Sequence, residues 1–190
     1  MPETQDKIGD CSSSSGGSQN CPGSGKTKEE CCPVRRIAHL MEGCKAKGMS
    51  TGIVVTTILP HATPAAWSSH SSSRKYYDFI AQQQIEADPP FDVLFGGGRR
   101  YYDSRRKDKR DIMAEHADTY TFVNDAAAMR EEIKKSAASQ KPLVGLFADG
   151  SMAYEVDRLA QMEERRQPSI EEVISQSHKI NGFGCTQCNF

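Results

Sequence analysis

Short apolar runs alternate with helix-like segments along most of this chain, and this alternation constrains the fold more than any other feature. The runs at residues 52–58, 92–95, 120–123 and 142–147 are rich in β-branched or aromatic residues and are too short to form helices. Segments with helical spacing or strong helix formers separate them. Strands separated by helices predict an α/β fold, a three-layer sandwich in which helices flank both faces of a mainly parallel sheet.

Capping residues predict where two of the helices begin. Thr63 followed by Pro64 is typical of an N-cap and a first helical position, so we expect a helix from there towards Ser73. Asn124 is expected to cap an alanine-rich helix that ends at about Ala138.

Parallel α/β folds bind their ligands beyond the carboxyl ends of the strands. In the predicted arrangement three loops lie there, at residues 59–64, 96–100 and 148–152. We expect the glycines of the second loop to terminate the strand that precedes it. These loops are therefore the first place to look for functional residues.

Three residues in or near the first loop have side chains suited to phosphate chemistry. His61 and Thr63 place an imidazole and a hydroxyl where a cation or its waters could bind. Arg74 offers a planar fork of donors that suits phosphate oxygens. In a simpler interpretation Thr63 is only an N-cap, His61 a loop residue and Arg74 a surface cation. Spacing alone favours that interpretation, since N-cap threonines are common.

Charge and hydropathy exclude several classes of partner. The chain has 190 residues and a net charge of −1, so no global basic field attracts nucleic acid. Residues 99–111 are locally basic and contain two tyrosines, but we interpret them as a solvated excursion from the sheet. No run approaches about 18 apolar residues, so no membrane-spanning helix is expected.

Seven cysteines are distributed unevenly, and their number is odd. The first residues show no signal peptide, which favours free thiols, although the cysteine-rich start is typical of secreted proteins. A zinc-stabilised interaction protein is one alternative, because the C-terminal pair has the spacing of a zinc knuckle. Its ligands would be Cys31, Cys32, Cys185 and Cys188.

Several motifs together resemble the alkaline phosphatase family. They are residues 48–54, 61–66, 70–74, 92–99 and 145–150, which occur in the order and at the spacing of that family. The resemblance runs from about Arg35 to Phe183, roughly the middle third of a family chain. It divides the chain into a Ser/Gly/Cys-rich flexible segment (1–33), a partial α/β domain of this family (34–184) and a divergent tail (185–190).

The resemblance implies hydrolysis of phosphate monoesters by a homodimer that uses two zinc ions and one magnesium ion. A serine attacks phosphorus, and the metals activate that serine and the water that releases phosphate. Thr63 matches the hydroxyl ligand of magnesium, and His61 matches a position near that metal's water shell. Arg74 matches the arginine that binds the phosphoryl oxygens. The family is secreted, periplasmic or membrane-anchored.

Other parts of the family's catalytic machinery have no counterpart in this sequence. It contains no Asp-Ser-Ala segment, the setting of the family nucleophile, and residues after Phe183 depart from the family pattern. The zinc ligands are missing, and the magnesium site is partial because Mg²⁺ normally needs carboxylates. We therefore expect no phosphatase activity from this chain alone. The alternative is a non-enzymatic module that binds phosphate or another protein. We also expect exposed strand edges to cause aggregation or pairing with a partner.

Overall fold

The computed structural model describes residues 37–136, 141–162, 166–177 and 180. All of their helices and strands lie in one compact unit that begins at Ala38. In chain order they are α1 (Leu40–Ala46), β1 (Gly52–Ile58), α2 (Ala62–Ser68), α3 (Tyr77–Ile85), β2 (Val93–Gly97), a 3₁₀ turn (Arg99–Tyr101), α4 (Ile112–Glu115), β3 (Thr121–Val123), α5 (Ala126–Ser136), β4 (Leu143–Leu146), α6 (Glu155–Leu159) and α7 (Ile170–Ser177). The predicted flexible segment 1–33 and tail 185–190 lie outside the described residues.

The four strands form one sheet in the order β1-β2-β4-β3, and every neighbouring pair is parallel. In this register Leu94 of β2 lies between Ile53 of β1 and Val144 of β4. All residues of β2 and β4 are buried. Central parallel strands are covered on both faces, which explains why their sequences read as continuous apolar runs. The predicted parallel sheet is confirmed.

Two apolar clusters cover opposite faces of the sheet, because successive strand residues point to opposite sides. Leu94 and Val144 belong to the first cluster, with side chains of α3 and α4: Ala81, Ile85 and Ile112. Val93 and Leu143 belong to the second cluster, with side chains of α5 and α7: Met129, Ile133 and Val173. Each fully buried apolar side chain contributes about 1.5–3 kcal/mol to folding. The predicted α/β class with helices on both faces is therefore confirmed.

Helix α2 begins and ends earlier than the sequence predicts. Its N-cap is His61, not Thr63, and Pro64 is the third helical residue. Pro64 is tolerated there because N–H groups of the first turn have no acceptor within the helix. The helix ends at Ser68 instead of continuing towards Ser73. Its last serine and the residue after it bond their hydroxyls back to main-chain carbonyls one turn earlier, which competes with helical continuation.

The start of α5 also differs from the prediction. The carboxylate of Asp125, and not the side chain of Asn124, accepts a hydrogen bond from the main-chain N of Ala128 at 2.7 Å. Both residue types are good caps, so only the backbone path decides which of the two adjacent side chains reaches the first turn. The described helix ends at Ser136, and the predicted end near Ala138 lies outside the described residues.

None of the helices in the described ranges has the length and apolar character needed to cross a membrane.

Candidate functional site

Main-chain hydrogen bonds join the three loops at the carboxyl ends of β1, β2 and β4. The N–H of Leu59, which follows β1, donates to the carbonyl of Gly97 at 3.0 Å. The N–H of Gly98 donates to the carbonyls of Ala148 and Gly150, both at 2.9 Å. The loops that sequence analysis selected are therefore neighbours in the structure.

The glycines of the second loop allow this close approach. A Cβ on Gly97 would lie only 2.1 Å from the carbonyl oxygen of Gly150. Gly98 has φ of +96°, a left-handed conformation that favours glycine. The prediction that glycines end the strand is wrong for Gly96 and Gly97, which belong to β2. The missing side chain of Gly97 lets another backbone approach, and that of Gly96 leaves room for the side chains of Val55 and Leu59.

A buried polar network supports the turn from β1 into α2. The fully buried amide of Gln84 donates to the carbonyl of Leu59 at 3.0 Å and to the Ser68 hydroxyl at 2.8 Å. Its oxygen accepts from the Tyr102 hydroxyl at 2.6 Å. The predictions from the sequence did not include this network. A signal was present, since Gln84 stands three residues after Ala81 on the apolar face of α3.

The structure brings two of the three predicted site residues into contact. His61 is the N-cap of α2, and its Nε2 lies 3.3 Å from Nη2 of Arg74. Because a guanidinium only donates, the neutral imidazole accepts through that nitrogen. Thr63 lies two residues further along, exposed in the first turn of α2. Arg74 is also exposed, so its remaining N–H groups face solvent. The catalytic and metal-binding roles of these residues stay predictions.

The acidic group on the third loop is held by arginines. Asp149 forms ion pairs with Arg99 at 2.9 Å and with Arg105 at 2.8 Å. Arg105 also pairs with Asp103 at 2.6 Å. Hydrogen bonds from Arg105, and then from Arg99, hold the pKa of Asp149 well below its usual range. The carboxylate is therefore ionised at neutral pH, and its charge is already balanced by the arginines.

The basic segment 99–111 is a folded part of the domain, and the prediction of a solvated excursion is wrong for its buried residues. Tyr102 and Arg106 are at most 1% exposed. Arg106 makes a bidentate ion pair with Asp108 at 2.9 and 2.6 Å. It also donates to the carbonyls of Asp78 and Tyr101. A buried guanidinium with these partners fixes the segment against α3.

The donors beside Arg74 do not by themselves fit a magnesium or zinc ion. His61 and Thr63 offer one imidazole and one hydroxyl, whereas Mg²⁺ prefers carboxylate oxygens and Zn²⁺ needs three or more ligands. Among the residues that the structure describes, His61 belongs to no group of three His, Cys, Asp or Glu side chains with converging ligand atoms. The proposed cysteine ligands of the zinc alternative lie outside those residues.

Comparison with known proteins gives one consistent result. A sequence model of the alkaline phosphatase family matches residues 19–180. The chain is 33% identical over 152 residues to alkaline phosphatase 4 of Bacillus subtilis, which covers 77% of this chain and 30% of that protein. It is 33% identical over 157 residues to the repressible alkaline phosphatase of Saccharomyces cerevisiae, covering 74% of this chain and 27% of that protein. The match begins earlier than the sequence motifs indicate, at residue 19 instead of about Arg35.

Solved structures give the same answer. The alkaline phosphatase of Thermus thermophilus superimposes with a TM-score of 0.59 and 29% identity, covering 75% of this chain and 29% of that chain. An alkaline phosphatase mutant from the Antarctic bacterium TAB5, with Mg bound in its M3 site, superimposes with a TM-score of 0.52 and 27% identity. It covers 64% of this chain and 33% of that one. This chain therefore spans about a third of the length of these proteins.

Proposed function

Because the chain belongs to the alkaline phosphatase family, we propose that it forms the phosphate-binding part of a phosphomonoester hydrolase, with Arg74 binding the phosphoryl oxygens. The observation that carries this proposal is the contact between Arg74 and His61, where the loop after β1 enters α2. That position lies at the carboxyl end of a parallel strand, where α/β folds bind ligands.

The geometry around Arg74 suits an oxyanion. The imidazole of His61 accepts a hydrogen bond from one N–H of the Arg74 guanidinium at 3.3 Å. This contact restrains the arginine side chain, while the other donors of the guanidinium stay in solvent. A guanidinium can donate two parallel hydrogen bonds to two phosphoryl oxygens and can stabilise the charge that develops on them. Thr63 is proposed to contribute its hydroxyl to the same site, and His61 to hold water or Arg74 in place.

Metal chemistry is a separate part of the proposal. In a complete family site, bound zinc and magnesium would supply nucleophile activation and charge neutralisation. The donors beside Arg74 are too few for either ion, and the printed sequence has no Asp-Ser-Ala segment. We therefore propose that the 190-residue chain alone binds phosphate weakly and does not hydrolyse phosphate esters.

Two measurements on the purified chain test this proposal. The first is turnover of a chromogenic phosphate ester at alkaline pH with added zinc and magnesium, where we expect none above the protein-free blank. The second is calorimetric titration with inorganic phosphate, comparing Arg74→Ala and Arg74→Lys with the exposed control Lys47→Ala. We expect Arg74→Ala to abolish binding and Arg74→Lys to weaken it, since lysine lacks the planar fork.

The outcomes separate the alternatives. Turnover that disappears in Arg74→Ala would show that the chain is an enzyme by itself. Phosphate binding without turnover, lost in Arg74→Ala, is the result that the proposal expects of the chain alone. Equal phosphate affinity in Arg74→Ala and the native chain would refute the role of Arg74.

We also propose that the chain associates as a homodimer, because α6 and its flanks leave apolar side chains in solvent. More than half of the surface is exposed on each of Tyr154, Val156, Leu159 and Met162. Exposed large apolar side chains grouped in one short segment favour contact with a partner. Sedimentation velocity should detect a dimer that Val156→Asp dissociates and that Thr119→Asp, at an exposed polar position, leaves intact. A monodisperse monomer of the native chain would contradict this.

A further inference from the structure

Two histidines and a glutamate converge at the start of α1, and they are not the residues of the proposed phosphate site. His39 is the N-cap of α1, Glu42 lies in its first turn, and His70 follows α2. One ligand atom from each lies within 4.8 Å of the other two. We propose that these three side chains bind a zinc-like divalent cation, with an open coordination position for water.

The distances between the ligand atoms suit such an ion. Nε2 of His70 lies 2.9 Å from Oε1 of Glu42, and Nε2 of His39 lies 3.8 Å from the same oxygen. Bonds of about 2.0–2.2 Å in a tetrahedral site place neighbouring ligand atoms about 3.3 Å apart. The two observed distances bracket that value, so modest side-chain rotations bring all three atoms to one ion.

The protein holds the two imidazoles in place before any ion binds. Their rings stack with centroids 5.0 Å apart, and the His39 ring also stacks on Phe91. The Gln83 side-chain amide forms two hydrogen bonds with the main chain of His70: it accepts from the N–H at 2.7 Å and donates to the carbonyl at 2.9 Å. Supported ligands of this kind lose little freedom on binding a metal.

Burial also favours a metal ligand role. The side chains of His39 and His70 are 11% and 20% exposed, whereas that of Glu42 is 46% exposed, which leaves one open side.

Binding has a defined consequence for the helix cap. Nδ1 of His39 accepts a long hydrogen bond of 3.3 Å from the main-chain N of Glu42. Coordination through Nε2 places the imidazole proton on Nδ1, so this hydrogen bond is lost. The second cap bond, from the N of His39 to the carboxylate of Glu42 at 2.9 Å, involves the other carboxylate oxygen. The donor set of two imidazoles and a carboxylate selects zinc, cobalt or nickel over magnesium.

Zinc and cobalt titrations of the full chain test this site. Calorimetry with Zn²⁺ measures affinity, and the visible spectrum of bound Co²⁺ distinguishes nitrogen and oxygen ligands from thiolates. The Cys185→Ser/Cys188→Ser background removes the C-terminal thiol pair. The main variant is His39→Ser, because serine is a good N-cap and preserves the helix start. His116→Asn is the matched control, since His116 lies 3.9 Å from Glu86 without belonging to a three-ligand group of the described residues.

We expect one equivalent of zinc, a cobalt spectrum without thiolate charge transfer, and affinity reduced at least about tenfold in His39→Ser and Glu42→Gln. His116→Asn should bind like the native chain, and the Glu42 amide resonance should shift on zinc addition. Circular dichroism verifies that His39→Ser keeps its helices. Any of three results would overturn the proposal: unchanged zinc affinity in His39→Ser, ligation of cobalt by thiolates only, or magnesium binding as tight as that of zinc. These outcomes do not depend on whether the chain binds phosphate.

Discussion

Two glycine-to-alanine substitutions should change stability in opposite directions, because the added methyl group meets very different surroundings. Gly43 is exposed within α1, and a Cβ built there has no neighbour within 4 Å. Gly97 lies at the end of β2, where a Cβ would lie 2.1 Å from the carbonyl oxygen of Gly150. The same chemical change therefore tests both helix propensity and backbone packing.

The expected magnitudes follow from these distances. In Gly97→Ala the two loops must separate until the contact reaches about 3.4 Å, which breaks the 2.9 Å hydrogen bond from Gly98 to Gly150. A lost hydrogen bond of about 1 kcal/mol and overpacking strain of about 1–3 kcal/mol predict a loss of about 2–4 kcal/mol. Gly43→Ala should stabilise the chain by about 0.8–1 kcal/mol, the difference in helix propensity.

Urea unfolding followed by circular dichroism measures both effects, at one protein concentration because association changes apparent stability. The predicted order of stability is Gly43→Ala, then the native chain, then Gly97→Ala. The reasoning would be refuted if the free energy of unfolding of Gly97→Ala lay within about 0.5 kcal/mol of that of the native chain, which is the range of a neutral surface substitution. The close approach of the loops would then not exist in solution.

The remaining predictions concern buried polar groups and the ion-paired carboxylate of Asp149. Gln84→Met leaves the Leu59 carbonyl and the Tyr102 hydroxyl without their partner, so urea unfolding should show that the free energy of unfolding falls by about 2–4 kcal/mol. Tyr102→Phe should lower it by about 1 kcal/mol. Equal losses in the two variants would contradict the network. Arg106→Met should lower the free energy of unfolding by about 2–4 kcal/mol, since two main-chain carbonyls lose their donor. The exposed control Arg100→Met should stay within about 0.5 kcal/mol of the native chain. Asp149 has a lowered pKa in the folded state, so its contribution is present above the ordinary pKa of aspartate and disappears as pH falls towards the folded value. Asp149→Asn should therefore flatten the acid side of the stability–pH curve. The difference should be a few tenths of a kcal/mol, because the ion pair of Asp149 with Arg105 is half exposed. Curves of equal slope for the variant and the native chain would contradict this.

The strands could be predicted because their signal is local. In β2 and β4 both faces are buried, and burial on both faces leaves a continuous apolar run in the sequence itself. The end of α2 could not be predicted in the same way. There the serine hydroxyls bond to carbonyls of the preceding turn, and whether they do so depends on the backbone path and its neighbours.

The site was only partly visible in the sequence for a related reason. The resemblance to the family selected His61, Thr63 and Arg74, but the contact between His61 and Arg74 joins residues 13 positions apart. Gln84 and Leu59 are 25 positions apart, and Arg99 and Asp149 are 50. Such pairs have no common local pattern, so capping and periodicity rules do not detect them.

The sequence by itself determined the α/β class, the parallel direction of the strands and the three loops at their carboxyl ends, because hydrophobic periodicity records which faces of each element are buried. Tertiary structure alone decided the strand order β1-β2-β4-β3, the neutralisation of Asp149 by two arginines and the convergence of His39, Glu42 and His70. These features depend on distances through space between groups from separate elements. Hydrogen bonds, ion pairs and metal ligation act over a few ångströms, and only the folded chain brings those groups within that range.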